Sequence, residues 1–157
     1  MFIHESVDLA QLKRKNTEEG RRYETPSGAL YPSVTTILSH KSKPFIQAWR
    51  KRIGEKEADK ISSRAARRGT KIHHLVEQHL NNETEKEQEG ILTLDYIDKE
   101  MYFNMKDLLE DINNIRCLES TMYSDHLRLG GQVDCIAEYK GQLSVIDFKT
   151  STKRKTR

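Results

Sequence analysis

The chain has 157 residues, of which 32% are charged and 35% are hydrophobic, and its formal net charge is +3. This length suits one domain with a modest core, so we expect a single domain over residues 1–157. The sequence has neither the roughly 20 apolar residues of a membrane span nor the apolar stretch of a signal peptide. Its two cysteines cannot build a four-cysteine metal site and do not suggest a disulfide scaffold. We therefore expect a soluble, intracellular, cytoplasmic protein without membrane contact.

The charges are strongly segregated along the chain. Residues 41–71 contain eleven basic and three acidic side chains, whereas residues 72–111 contain three basic and eleven acidic ones. Two interpretations remain open. The blocks could be solvated helix faces that pair with each other, or the basic block could bind a phosphate backbone, since clustered Lys and Arg gain affinity by releasing counterions.

Residues 1–54 are predicted to form an N-terminal hairpin and a helical extension. Residues 21–31 favour a hairpin because Pro26-Ser27-Gly28 has turn chemistry. Ser33 is an N-cap candidate for a short helix that ends at Leu38, and Pro44 suits the first position of a second helix. Gly54 is expected to break or bend that second helix.

Residues 55–157 are predicted to form the main part of the domain, beginning with a long helix over residues 55–80. Residues 82–90 are acidic and lack periodicity, which predicts a flexible connection. Asp95 can cap a third helix that runs to Asn113. Its predicted buried stripe consists of Ile97, Met101, Met105, Leu108, Leu109 and Ile112.

Three strand-like segments follow, at residues 116–123, 131–139 and 142–149. Lys140-Gly141 fits a two-residue hairpin loop, which pairs Tyr139 with Gln142. Helices followed by antiparallel strands predict an α+β fold with the helices packed on a central, mostly antiparallel sheet.

The hairpin register places two carboxylates in an unusual position. If Tyr139 pairs with Gln142, Asp134 lies directly opposite Asp147, and like charges there repel. A divalent cation between them would explain the pair. Lys149 lies two residues further on the same face and could orient an attacking water, so the three residues predict phosphodiester hydrolysis. The alternative is a surface hairpin with solvated charges.

Gly131-Gln132-Val133-Asp134, followed by Val145-Ile146-Asp147-Phe148-Lys149-Thr150-Ser151, resembles the signature of the PD-(D/E)xK nuclease superfamily. The segment from Arg68 to His73 resembles the helix motif of its RecB-type exonuclease branch, which includes mitochondrial and phage exonucleases, and the segment from Tyr31 to Leu38 resembles their N-terminal stretch. The resemblance implies a restriction-endonuclease-like core.

The resemblance also implies roles for individual residues. It implies that His73 and Glu119 join Asp134 and Asp147 in binding Mg²⁺ or Mn²⁺, and that Lys149 is catalytic. The expected DNA contacts are Arg64, Arg67, Arg68, Lys71, Ser33, Thr35, Thr150 and Ser151. His74 points away from His73 and is expected to serve packing or to face solvent.

The expected function is a metal-dependent DNA exonuclease that acts on free, single-stranded ends. The alternatives are a structure-selective endonuclease on the same core and a nucleic-acid-binding or assembly protein with an incomplete site. In the family a further helix and strand follow the Asp-x-Lys strand, and here only residues 150–157 follow it. We therefore expect an uncovered sheet edge that favours self-association. The location is expected to be cytoplasmic, in the host cell if a phage encodes the chain, with a mitochondrial location left open.

Overall fold

The computed structural model describes residues 1–151, which form two three-stranded antiparallel sheets and four helices. The basic residues Lys153, Arg154, Lys155 and Arg157, which follow the last predicted strand, lie outside the described residues. The elements are β1 (Lys13–Thr17), β2 (Gly20–Glu24), β3 (Leu30–Pro32), α1 (Val34–Ile53), α2 (Glu55–Leu80), α3 (Thr84–Leu92), α4 (Tyr96–Leu109), β4 (Ile112–Ser124), β5 (Leu129–Tyr139) and β6 (Gln142–Ile146). The predicted α+β class is confirmed.

The first sheet, in the order β1-β2-β3, contains the predicted hairpin. Tyr23 pairs with Tyr31 across β2 and β3. Strand β1 was not predicted, because all five of its side chains are exposed and it carries no apolar alternation.

Helix α1 corrects the prediction of two short helices. Ser33 is its N-cap, as predicted, and accepts a hydrogen bond from the Thr35 amide. The helix then continues through Pro44 to Ile53 instead of stopping at Leu38. A proline inside a helix removes one backbone hydrogen bond, but residues 39–43 contain no glycine or turn pair that would end the helix.

Helix α2 has the predicted bounds and contributes the central face of the core. Ile72, Val76 and Leu80 are fully buried and recur at helical spacing. They pack in one cluster with Cys135 and Ala137 of β5. This packing sets α2 across the second sheet.

Residues 84–92 are helical, so most of the segment 82–90, predicted as a flexible connection without periodicity, belongs to a helix. Glu87 of α3 is buried and accepts hydrogen bonds from Tyr102 (2.7 Å) and Lys106 (2.6 Å) of α4, and His79 of α2 contacts its other oxygen (2.9 Å). Burial opposes ionisation of Glu87, but the bonds from Lys106, Tyr102 and His79 outweigh it and lower its pKa to about 2. These partners are distant in sequence, which hid the helix from periodicity analysis.

Helix α4 is shorter than predicted. Asp95 caps it, but the helix ends at Leu109, and Ile112 and Asn113 already belong to β4. Its buried positions also differ from the predicted stripe: Tyr102 is fully buried, whereas Ile97 and Leu108 are exposed. The Glu87 network rotates a different face of α4 inward.

The second sheet, in the order β4-β5-β6, has the predicted register over part of its length. The pairs run from Tyr139–Gln142 to Cys135–Ile146. Strand β6 ends there, three residues earlier than predicted, so Asp134 and Asp147 are not a ladder pair. On the far side, β4 bonds to residues 3–7, with the Glu5 amide donating to the Ile115 carbonyl (2.8 Å).

No helix of the described residues is long and apolar enough to cross a membrane.

Candidate metal centre

His73 is held against the middle of β4 and β5, just beyond the end of β6, by the buried face of α2. Its neighbour Ile72 is fully buried, and its own side chain is 27% exposed. His73 Nε2 lies 2.7 Å from the Phe148 carbonyl oxygen, so Nε2 carries the proton and donates it there. His74 faces solvent, with a side chain that is 65% exposed, as expected from its position on the helix.

Glu119 and Asp134 are brought together by the pairing of β4 with β5. Leu118 pairs with Cys135 and Ser120 pairs with Val133, which places Glu119 directly opposite Asp134. Glu119 has a left-handed backbone with φ 45°. This conformation costs a non-glycine residue about 1–2 kcal/mol and recurs at functional sites. The sequence predicted Asp147 opposite Asp134 on the β6 side, where the pairing ends at Ile146; the carboxylate opposite Asp134 on the β4 side is Glu119.

The three side chains form one cluster. Single ligand atoms from His73, Glu119 and Asp134 all lie within 4.8 Å of one another. His73 Nδ1 is 3.3 Å from Glu119 Oε1 and 3.8 Å from Asp134 Oδ2. Because Nε2 donates to a carbonyl, the lone pair of Nδ1 faces two carboxylates. A cation or a proton between these groups would remove their electrostatic repulsion. A ligating histidine commonly donates its other ring N–H in this way, so the donor set fits a divalent cation.

Asp147 and Lys149 lie beside the cluster. The Lys149 ammonium contacts the Asp147 carboxylate at 2.5 Å, and both side chains are 61% exposed. Asp147 is therefore not among the clustered ligand atoms, in contrast to its predicted position opposite Asp134. Asp134 itself accepts a 2.8 Å hydrogen bond from the Phe148 amide, which joins β5 to the segment between Asp147 and Lys149.

Two concave surfaces share Gln132. A cleft of about 620 Å³ contains His73, Glu119 and Gln132 together with Arg14 of β1. A groove of about 690 Å³ on the other side contains Asp134, Asp147 and Lys149; its apolar lining residues are Val34, Leu38, Met122, Tyr123, Leu127, Leu129, Val133, Val145 and Ile146.

The predicted DNA contacts differ in how available they are. Arg64, Arg67 and Lys71 are exposed on α2. Arg68 instead pairs with Asp98 of α4 at 3.0 Å, and the two side chains are only 14% and 9% exposed. Arg68 and Asp98 thus form an ion pair between the basic block (residues 41–71) and the acidic block (residues 72–111). This pair agrees with the first interpretation of the charge pattern, in which the two blocks pair with each other.

The predicted hydroxyl contacts are also divided. Ser33 is buried, and its oxygen contacts Thr35 Oγ1 at 2.7 Å, so its hydroxyl serves the α1 cap. Thr35 is exposed beside the apolar groove. Thr150 is half-buried near Gly69, and Ser151 is exposed.

Sequence reasoning missed Arg14 and Gln132. Gln132 Nε2 donates to Glu119 Oε2 at 2.7 Å. Alternation along β5 could have indicated Gln132, because it lies two residues before Asp134 on the same face. Nothing in the sequence near β1 pointed to Arg14.

The buried thiol of Cys135 does not take part in the site. Burial, reinforced by Cys117 and Asp134, raises the pKa of Cys135 to about 12. The thiol therefore stays protonated, and thiolate is the form that binds metals.

The chain is similar in sequence to known exonucleases. The chain is 35% identical to mitochondrial genome maintenance exonuclease 1 of Homo sapiens over 134 residues, and 32% identical to that of Mus musculus over 138 residues. Each match covers 79% of this chain, which spans 38% of the length of either relative. The Xenopus tropicalis protein of the same name is 30% identical over 135 residues. The sequence profile of the PD-(D/E)XK nuclease superfamily matches residues 33–157, which include every residue of the cluster, and the chain belongs to that superfamily.

Proposed function

We propose that this chain is a metal-dependent DNA exonuclease that hydrolyses phosphodiester bonds from free, single-stranded ends. The observation that carries the proposal is the convergence of His73, Glu119 and Asp134 within 4.8 Å. Carboxylate oxygens with one imidazole suit Mg²⁺ and Mn²⁺. We propose these three residues as ligands and Asp147 as a fourth, since its backbone adjoins Phe148, whose amide binds Asp134.

The residues around the cluster have distinct proposed roles. A bound cation would polarise a phosphoryl oxygen and lower the pKa of a water molecule. Lys149 carries an exposed ammonium beside this position and can orient the attacking water or stabilise negative charge on the phosphate. Asp147 holds that ammonium by an ion pair, which limits the positions that Lys149 samples.

The preference for DNA and for free ends has separate support. The names of the relatives describe an exonuclease of genome maintenance. An apolar groove that ends at Asp134, Asp147 and Lys149 suits unstacked bases better than a charged duplex. A role in DNA repair, recombination or replication is part of the proposal. A cytoplasmic location, or a mitochondrial one as in the name of the relatives, stays a prediction.

The exposed arginines of α2 provide the proposed backbone contacts. Among the described residues, Arg64, Arg67 and Lys71 form no ion pair with an acidic side chain. They extend along α2 toward His73 on the same helix. A strand could therefore follow this helix to the cluster.

An end-labelled single-stranded oligonucleotide, incubated with Mn²⁺ and with or without EDTA, tests the proposal. We expect progressive shortening that EDTA stops and that Lys149→Met lowers by two orders of magnitude or more, while a circular single strand stays intact. Cleavage of the circle would indicate an endonuclease. Binding without cleavage would indicate the nucleic-acid-binding alternative.

A further inference from the structure

Strand β1 contributes one wall of the cleft at the metal centre. This strand ends at Thr17, before residue 33, where the match to the superfamily profile begins. Arg14 is the only lysine or arginine among the described residues that line the cleft. The family match therefore assigns no role to this side chain.

The position of Arg14 is set by two anchors. Leu12 directly precedes β1 and is 8% exposed, and its amide donates to Thr121 Oγ1 of β4 at 3.2 Å. Arg14 itself pairs with Tyr23 of β2, whose side chain is 1% exposed. The strand is thus attached to both sheets, and Arg14, although exposed to solvent, lines the cleft.

The guanidinium of Arg14 is available for a ligand. Within residues 1–151 it forms no ion pair, although Glu77 and Glu119 line the same cleft. Arg68 and Lys149, by contrast, are paired with Asp98 and Asp147. The cleft volume of about 620 Å³ lies within the roughly 300–1,000 Å³ of small-ligand sites.

We propose that Arg14 binds a backbone phosphate of the substrate strand, next to the phosphate at the His73–Glu119–Asp134 cluster. The inference rests on the proposed nuclease function. A guanidinium recognises phosphate through two parallel N–H···O bonds, so one anionic strand can bridge Arg14 and a cation at the cluster. Arg14 would fix the register of the strand in the cleft, and Lys149 would act on the bond that breaks.

The test compares Arg14→Gln with Lys13→Gln. Both variants remove one positive charge from β1, but Lys13 is on the opposite face of the strand, so Lys13→Gln controls for general electrostatics. Binding of a short fluorescent oligothymidylate is measured in EDTA at several salt concentrations. We expect Arg14→Gln to weaken binding about ten-fold or more and to reduce the salt slope by about 0.7, while Lys13→Gln stays near the wild type.

Two further measurements test phosphate binding by Arg14 separately from metal binding at the cluster. Thermal melts with a Mn²⁺ titration should give the same metal-induced shift for Arg14→Gln as for the wild type. Arg14→Lys should keep the salt slope but recover only part of the affinity, since lysine lacks the planar fork. If Arg14→Gln does not fold, Arg14→Lys carries the comparison, and unchanged affinity in Arg14→Lys would then overturn the inference.

The same experiments show which kind of phosphate Arg14 binds, and they distinguish failure of the Arg14 inference from failure of the proposed function. Oligonucleotides with and without a terminal phosphate tell a terminal monophosphate from an internal phosphodiester, and a loss with either one supports the inference. If the wild type binds and cleaves while Arg14→Gln matches Lys13→Gln, the Arg14 inference is wrong and the proposed function stands. A wild type that neither binds nor cleaves the oligonucleotide overturns both.

Discussion

Gln132 on β5 donates a hydrogen bond of 2.7 Å to Glu119 on β4, at the residue where the β4 backbone is left-handed. The bond holds the carboxylate of Glu119 toward His73 Nδ1. A strained backbone persists only where the surroundings fix it, and Gln132 is one of the groups that do so.

Gln132→Ala is expected to weaken Mn²⁺ binding without unfolding the protein. Loss of a group that orients a metal ligand typically costs 10–100-fold in metal affinity. Isothermal titration with Mn²⁺ measures the change, and Gln142→Ala on β6 serves as the control because its side chain is exposed outside the site. An affinity equal to that of the wild type would show that Gln132 does not position Glu119.

Asp134→Asn is expected to abolish the metal response and the cleavage together. Asparagine keeps an oxygen for the Phe148 amide but removes the charge that faces Glu119, so the metal-free protein should be as stable as the wild type or slightly more stable. In the wild type, Mn²⁺ at 100 times its Kd should add about 2.7 kcal/mol to the free energy of unfolding. Thermal melts with Mn²⁺ measure both effects.

A control variant and a second variant of the site test the Asp134→Asn prediction more specifically. Asp107→Asn on α4 is the control, because its side chain is exposed away from the cluster. Asp147→Asn should lose cleavage as well, since Asp147 both binds Lys149 and is proposed as a ligand. A full metal-induced shift in Asp134→Asn would contradict the proposed metal centre.

The sequence predicted the register of β5 and β6 because the information is local. Lys140 and Gly141 both have positive φ, at 52° and 75°, which is the geometry of the predicted two-residue loop. The pairing of Asp134 with Asp147 was mispredicted because β6 ends at Ile146. The position of Glu119 opposite Asp134 on the β4 side was not predicted because β4 contains an irregularity between Asn113 and Cys117 and a left-handed Glu119. Such features depend on contacts between strands and leave no periodic signal.

Helix α3 and strand β1 escaped prediction for a similar reason. Glu87 is buried only because Tyr102 and Lys106, distant in sequence, bind its carboxylate. Arg14 faces the cleft only because β1 pairs with β2 and Leu12 bonds to β4. Tertiary contacts determine that α3 and β1 form, and local secondary-structure propensity alone does not predict them.

Arg64→Gln combined with Arg67→Gln is expected to reduce the salt dependence of DNA binding. Each lost single-strand phosphate contact should lower the slope of log affinity against log salt by about 0.7. Arg68→Gln provides the contrast, because it would leave Asp98 buried without its partner. That variant should lose stability, on the order of 3 kcal/mol, with little change of slope. An unchanged slope in the double variant would mean that the basic block is a solvated face.

Glu87→Gln is expected to remove part of the acid sensitivity of the fold. The pKa of Glu87 is about 2 in the folded protein, below its ordinary value of 4.5. A carboxyl group whose pKa is lower in the folded protein than in the unfolded one stabilises the fold above its unfolded pKa. This stabilisation is lost as pH falls from about 4.5 toward 2. The contribution near neutral pH is on the order of 3 kcal/mol. Urea unfolding between these pH limits measures it, with Glu85→Gln, exposed on the same helix, as the control. Parallel pH profiles of the wild type and Glu87→Gln would contradict the prediction.

Leu143→Lys is expected to reduce self-association through β6. Within residues 1–151, β6 pairs only with β5, so its other edge is unpaired, and its side chains Leu143 (69%) and Val145 (75%) are exposed. An apolar strand edge with unpaired backbone groups favours pairing with another chain, and an added lysine opposes it. We expect light scattering to show a concentration-dependent increase in mass for the wild type, which Leu143→Lys lowers. Leu92→Lys is the control, since Leu92 is similarly exposed at the end of α3, which is not part of the sheet. A monomeric wild type at all concentrations would show that the β6 edge does not mediate association.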